Sequence, residues 1–142
     1  MKDSLALIDT NILVYAYDSV AGSKHSKAKG LLKAAWEEGA IVSLQNLCEF
    51  FVVITKKVEK PVSIKQAQEI VEDIIYSKEW VIIDRTCETI INALELVKST
   101  NVHFWDAVIA ATMLEFGIKE IITENIKDFS KIKQIRAINP FR

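Results

Sequence analysis

The chain has 142 residues, 50% of them hydrophobic and 26% charged, with a formal net charge of −1. That length suits one domain over residues 1–142 with a sizeable core. The near-neutral charge excludes a global basic field, so a nucleic-acid partner must be held by a local patch or by bound cations.

In chain order, residues 5–8 read as a short strand and 12–17 as the helix leaving it, with Asp9 at the strand's C-terminal end. Over 26–38, Ala28, Leu31, Leu32, Ala35 and Trp36 recur at helical spacing, and Gly39 offers a C-cap. Residues 40–43 form a short buried strand, followed by a strongly apolar helix over 46–58 that Pro61 closes. Ser63 and Gln66 have capping-box spacing, and Ala67, Ile70, Val71, Ile74 and Ile75 make the stripe of the next helix. A third strand covers 80–83. The helix over 86–99 carries Ile90, Ile91, Leu94 and Val97 on one face, and another over 105–116 ends at Gly117. Strands at 120–123 and 135–138 follow.

Short apolar strands alternating with helices predict right-handed crossovers and a parallel sheet covered on both faces. Ligands of such α/β sheets gather outside the C-terminal strand ends, and Asp9 stands at one of them. The two cysteines, Cys48 and Cys87, lie outside any CxxC or Cys/His spacing, which argues against a zinc site and gives no disulfide framework. A reducing cytoplasm is the expected location. No positive segment with a long apolar run opens the chain, and the uncharged stretch 39–48 is far short of the ~20 residues of a membrane span.

Asp9 interrupts the apolar run LALIDTNILVYAY, where it could also cap the helix that follows. Glu49 lies in LCEFFVVI; an ionised carboxylate packed there costs several kcal/mol unless paired or bound to a cation, or else its head reaches water at the edge of the apolar face. Asp106 shares a helical face with Ile109, Ala110 and Met113, and in the first turn it also suits the helix dipole. The segment TENIKDF adds Glu124, Asn125 and Asp128 in what otherwise reads as a polar surface loop. Parallel topology brings these element ends to one edge of the sheet. Crowded carboxylates become favourable only when protons or cations neutralise them. Oxygen-rich acidic sites select Mg²⁺ or Mn²⁺, ions that activate water and stabilise the leaving oxygen in phosphodiester hydrolysis.

Taken in order, ALIDTNILVYA, NLCEF, FWDAVIAA and TENIKDF resemble the PIN-domain ribonucleases, especially their small VapC-like toxin branch, over nearly the whole chain. The resemblance implies a three-layer α/β/α sandwich with a mostly parallel five-stranded sheet in the order 3-2-1-4-5. It also implies a metal-dependent endoribonuclease acting on single-stranded or loop RNA. Asp9, Glu49 and Asp106 match the family's three principal acidic positions, Asp128 is assigned as the fourth, and Asn125 stands where many relatives carry Asp. By the same resemblance Thr10 and Asn11 line the pocket and Thr123 offers a hydroxyl close to Asp9; each also has a local explanation as a turn or cap residue. A homodimer is implied, as is a small antitoxin whose segment blocks the acidic pocket, the arrangement of a type II toxin–antitoxin pair.

The rival readings are a noncatalytic PIN-fold module that binds RNA or protein, a metal-dependent phosphatase and a DNA nuclease. Aspartyl-phosphate chemistry usually wants a second Asp two residues after the first, where Asn11 stands, and neither GxGxxG nor GxxxxGK[ST] is present. His25 and His103 are not at ligand spacing. His103, Phe104 and Trp105 before Asp106 offer either an aromatic platform for an unpaired base or core and interface residues. Lys24, Lys27, Lys29 and Lys33 offer phosphate contacts or a solvated helix face.

Overall fold

A computed structural model describes residues 5–142. Its strands are β1 (Leu7–Ile8), β2 (Ala40–Ser43), β3 (Trp80–Ile83), β4 (Glu120–Ile122) and β5 (Arg136–Ile138), all parallel in the order β3-β2-β1-β4-β5. The architecture and strand order are those implied by the resemblance. Central β1 sets the register: Leu7 lies opposite Ile41 on one side and Ile121 on the other.

Because successive side chains of a strand point to opposite faces, β1 feeds two cores. Leu7 packs with Ile41, Ile121, Val108, Met113 and Phe129, whereas Ile8 packs with Val42, Ile12, Phe50, Ile54 and Ile74. The first core is closed by α5 (Cys87–Thr100), α6 (Phe104–Glu115) and α7 (Ile126–Phe129), the second by α1 (Thr10–Tyr17), α2 (Ser23–Glu38), α3 (Leu44–Lys56) and α4 (Ile64–Tyr76). Burial on both faces explains why β1 and β2 are continuous apolar runs rather than alternating ones. Among the described residues no helix is long and apolar enough to cross a membrane.

Several element ends move from their sequence-based positions for local reasons. The third helix begins at Leu44 rather than 46, because Ser43 caps it: its hydroxyl accepts from the Asn46 backbone N–H at 3.1 Å while the Asn46 side chain accepts from the Ser43 N–H at 3.1 Å. The predicted capping box of Ser63 and Gln66 is present. In the last strand Ile135 is excluded, since its N–H turns back to Ile132 O at 3.1 Å. TENIKDF is not all loop; buried Phe129 anchors the short α7. On α5, Ile90 and Val97 pack inward as expected, but Ile91 and Leu94 face outward.

Parallel topology places Asp9 after β1, Ser43 at the end of β2 and Thr123 after β4 along one edge. Backbone pairing runs past the strands there: Asp9 N–H donates to Ile122 O at 3.0 Å and Thr123 N–H to Ile138 O at 2.9 Å. Asp9 and Thr123 are thereby fixed side by side before their side chains interact.

Candidate active site

Asp9 is the N-cap of α1, its extended backbone turning strand into helix and its Oδ1 accepting from the Thr10 backbone N–H at 2.8 Å. Capping is only part of its role. Oδ2 accepts from the Thr123 hydroxyl at 2.7 Å and from the Asn11 amide at 3.4 Å, and Oδ1 also accepts from the Asn46 amide at 3.3 Å. The residue is only 6% exposed. Burial pushes its carboxyl above the usual range and the Glu49 charge adds to this, while the bonds from Thr123, Thr10 and Asn46 act in the opposite direction.

Glu49 projects from α3 one turn beyond Gln45. It accepts from the Thr10 hydroxyl at 3.2 Å and from Gln45 Nε2 at 3.5 Å. Asp106 lies in the first turn of α6, where Oδ2 accepts from the Asn125 amide at 2.9 Å. Burial, with the charges of Asp9 and Asp128, raises its carboxyl to about 6 despite the opposing effects of Asn125 and His103. Thr123 is fully buried, and its hydroxyl also accepts the Asn125 backbone N–H at 2.9 Å. One loop therefore orients both aspartates, Asp9 through Thr123 and Asp106 through Asn125.

Asp9, Thr10, Asn11, Glu49, Asp106 and Asn125 all line a cavity of about 560 Å³. Thr123 sits behind its wall, bonded to Asp9. Asp128 is outside the lining, on α7, with Lys131 Nζ 3.4 Å and His103 Nε2 3.8 Å from its carboxylate. Against a burial penalty, contacts with Asn125, Lys131 and His103 hold its carboxyl below the usual range.

The structure adds polar residues that the sequence reading did not single out. Asn46, fully buried, links the sites by donating to Asp9 and to the Thr10 hydroxyl at 3.0 Å. Its signal in the sequence was the capping spacing after Ser43. Gln45 donates to Glu49 and to Trp105 O at 3.3 Å, and its Oε1 is buried without a hydrogen-bond partner. Asp18 and Glu59 bring the carboxylates of the cavity wall to five with Asp9, Glu49 and Asp106; Lys57 is the one cation among its described lining residues. Lys24 belongs elsewhere. It pairs with Glu124 beside the cavity, so its charge is already met by a carboxylate although its side chain still reaches solvent.

Among the described residues no three His, Cys, Asp or Glu side chains are gathered tightly enough to hold one metal ion directly. The donor chemistry nevertheless fits a hard divalent cation, because the converging groups offer carboxylate, amide and hydroxyl oxygens and no sulfur. Asp9 and Asp106 are raised by burial first and by neighbouring negative charge second, and a cation between them would relieve both.

The family model described as PIN domain matches residues 6–135. No curated protein matches the chain. Among solved structures, a toxin–antitoxin complex from Klebsiella pneumoniae is similar at 26% identity and TM-score 0.68, covering 95% of this chain and 97% of that one. VapBC2 from Rickettsia felis, bound to a DNA fragment from its promoter, is similar at 22% identity and TM-score 0.66, covering 95% and 98%. Mycobacterium tuberculosis VapC20, a Sarcin-Ricin loop cleaving toxin, is similar at 18% identity and TM-score 0.64, covering 82% and 86%.

Proposed function

This chain belongs to the PIN domain family, and from that premise we propose that it is a metal-dependent endoribonuclease and the toxin of a toxin–antitoxin pair. The observation that carries the proposal is the uncompensated acidity of the cavity: Asp9 and Asp106 are both raised by burial and neighbouring charge, and no lysine or arginine pairs with either among the described residues. A purely structural site would not leave one buried and one half-buried carboxylate in that state. The likeness to a toxin–antitoxin complex and to a cleaving toxin supports the toxin reading. Outward-facing Ile91 and Leu94 on α5 support a homodimer.

Asp9, Glu49 and Asp106 would hold Mg²⁺ or Mn²⁺ between them, in part through bridging water, with Asp128 contributing charge from outside the wall. The ion supplies activation of water and polarisation of the phosphodiester. The protein's own groups then have distinct tasks. Thr123, Asn46 and the Thr10 N–H lock the rotation of the Asp9 carboxylate. Asn125 aims Asp106, and Thr10 with Gln45 holds Glu49. Positions fixed in advance keep the cost of reorganisation out of the reaction barrier. No covalent nucleophile is required, since water attacks phosphorus and the departing ribose oxygen takes a proton as the P–O bond breaks.

The test sets RNA, single-stranded DNA and a small phosphomonoester side by side with chelator, Mg²⁺ or Mn²⁺. Metal-dependent cleavage within the RNA chain is expected. Cleavage confined to DNA or to the phosphomonoester would move the chain to one of the rival chemistries, and binding without cleavage would make it a noncatalytic module. Growth arrest on expression, relieved by Asp106→Asn, is the expected sign of a toxin.

A further inference from the structure

The cavity is a trough laid along α3. Gln45, Glu49, Val53 and Lys57 come from successive turns of that helix and its C-cap, and all line the cavity. At 1.5 Å per residue the twelve-residue separation of Gln45 and Lys57 spans about 18 Å. The two ends differ. At the Gln45 end stands Trp105, whose carbonyl accepts from the Gln45 amide and whose indole remains 57% exposed at the cavity wall. Its backbone is tied to α3 and its ring lies edge-on to Phe104 with centroids 5.0 Å apart. On a helix that buries Ala107, Val108 and Ile109, Trp105 instead presents its ring at the cavity wall, where its face is open to a partner. The other end carries Lys57, which is exposed and enters no ion pair among the described residues. Glu49 lies between them.

A stacking face and a cation at opposite ends of an acidic trough match two parts of a nucleotide chain: the base, which offers a π-face whatever its identity, and the phosphate, which needs positive charge. We propose that single-stranded RNA lies along this face of α3, with an unpaired base stacked on Trp105, a phosphate held by Lys57, and the scissile linkage over the carboxylates between them. This rests on the nuclease reading and adds to it a strand path and a requirement for an unstacked base. Duplex RNA, with its bases stacked internally, cannot supply that base.

The test uses a labelled twelve-nucleotide single-stranded RNA and fluorescence anisotropy with Ca²⁺ in place of Mg²⁺, in protein that keeps Asp9, Glu49 and Asp106, so that a hard cation can sit on the carboxylates while the strand, checked on a gel, stays whole. Trp105→Ala should raise Kd about tenfold or more, whereas Trp105→Phe should stay within about threefold of its parent. An abasic site walked along the RNA should reproduce the loss at one position, and that loss should disappear in the Trp105→Ala protein. Lys57→Ala should reduce the slope of log K against log salt by about 0.7, the value for one single-strand phosphate contact. Unchanged Kd for Trp105→Ala, or an abasic loss that adds in full, would overturn the stacking; an unchanged slope would overturn the phosphate contact. A Trp105→Ala protein that keeps RNA affinity but loses a protein partner would make this face an interface and reject the proposal. Wild type that binds RNA in the expected way yet never cuts it under Mg²⁺ or Mn²⁺ would reject the nuclease reading and leave the strand path standing.

Discussion

Thr123, Glu124 and Asn125 are adjacent in the chain but serve two regions with opposite electrostatics. Glu124 turns to a cluster in which Lys24 pairs with its carboxylate and the Tyr15 hydroxyl donates to it at 2.6 Å. Lys24 lies 5.2 Å from the Tyr15 ring centroid and 5.7 Å from that of Phe141, and the two rings meet edge to face at 5.4 Å. Despite some burial, Lys24 and Tyr15 hold the Glu124 carboxyl below its usual range. Thr123 and Asn125 turn instead to Asp9 and Asp106, which are raised and have no cation paired with them. The same residue types thus make a self-neutralised cluster and a charge-deficient one within a few residues. The first is complete as it stands; the second lacks what an external cation would provide.

The sharpest way to break this contrast is through activity. Asp106→Asn keeps the acceptor for Asn125 but removes charge, and should lower RNA cleavage by at least about a thousandfold, about 4 kcal/mol of barrier, with an unchanged circular dichroism spectrum. Glu124→Gln, also losing one charge, should stay close to wild type. Equal losses in the two variants would dissolve the distinction between the regions.

Metal response comes next. With Mg²⁺ or Mn²⁺ at about a hundred times Kd, the native state should gain about 2.7 kcal/mol in wild type and in Glu124→Gln. Thermal melts of Asp9→Asn and Asp106→Asn should show little of that gain, and a full shift in either would remove that residue from the metal site.

A smaller effect follows from Asp106 in metal-free protein. Its folded value of about 6 lies above the ordinary 3.8, so the folded state binds the proton more tightly than the unfolded one. The resulting penalty is fully present above about pH 6 and is relieved as pH falls through that value towards 3.8. Discounted for the solvent that reaches this half-exposed group, lowering pH from about 7 to about 5 should gain roughly 1 kcal/mol from this source. Melts of wild type against Asp106→Asn isolate the contribution, and the same pH response in both would assign it elsewhere. Smallest of all, Glu124→Gln should lower Tm slightly in dilute buffer, the difference fading at about 1 M salt where screening reaches ~3 Å.

The fold was legible because its signals are local. The runs at 40–43 and 80–83 are short, apolar and bounded, and they match β2 and β3. Ser63 and Gln66 cap α4 across three residues. Where local signals were incomplete, the reading slipped: Ser43 took over the start of α3, and Ile91 and Leu94 turned outward because α5 offers its core only one narrow face. Within the site, both Asp9 oxygens accept from donors on Thr10, Asn11, Asn46 and Thr123, a set that charge patterning along the chain does not show and against one pair of which the amide of Asp9→Asn would set an N–H. Asp128 stands outside the wall for a similar reason: α7 commits it to Lys131 and His103.

By itself the sequence determined helix and strand periodicity, caps, the placing of carboxylates against apolar elements and, through motif resemblance, the strand order. Each of these depends on residues within a turn or a strand of one another, or on a pattern read along the chain. Only the tertiary structure decided which charges are compensated. Lys24 meets Glu124 across 100 residues and Thr123 meets Asp9 across 114, and electrostatic energy depends on distance through space and on burial, neither of which is written in neighbouring residues.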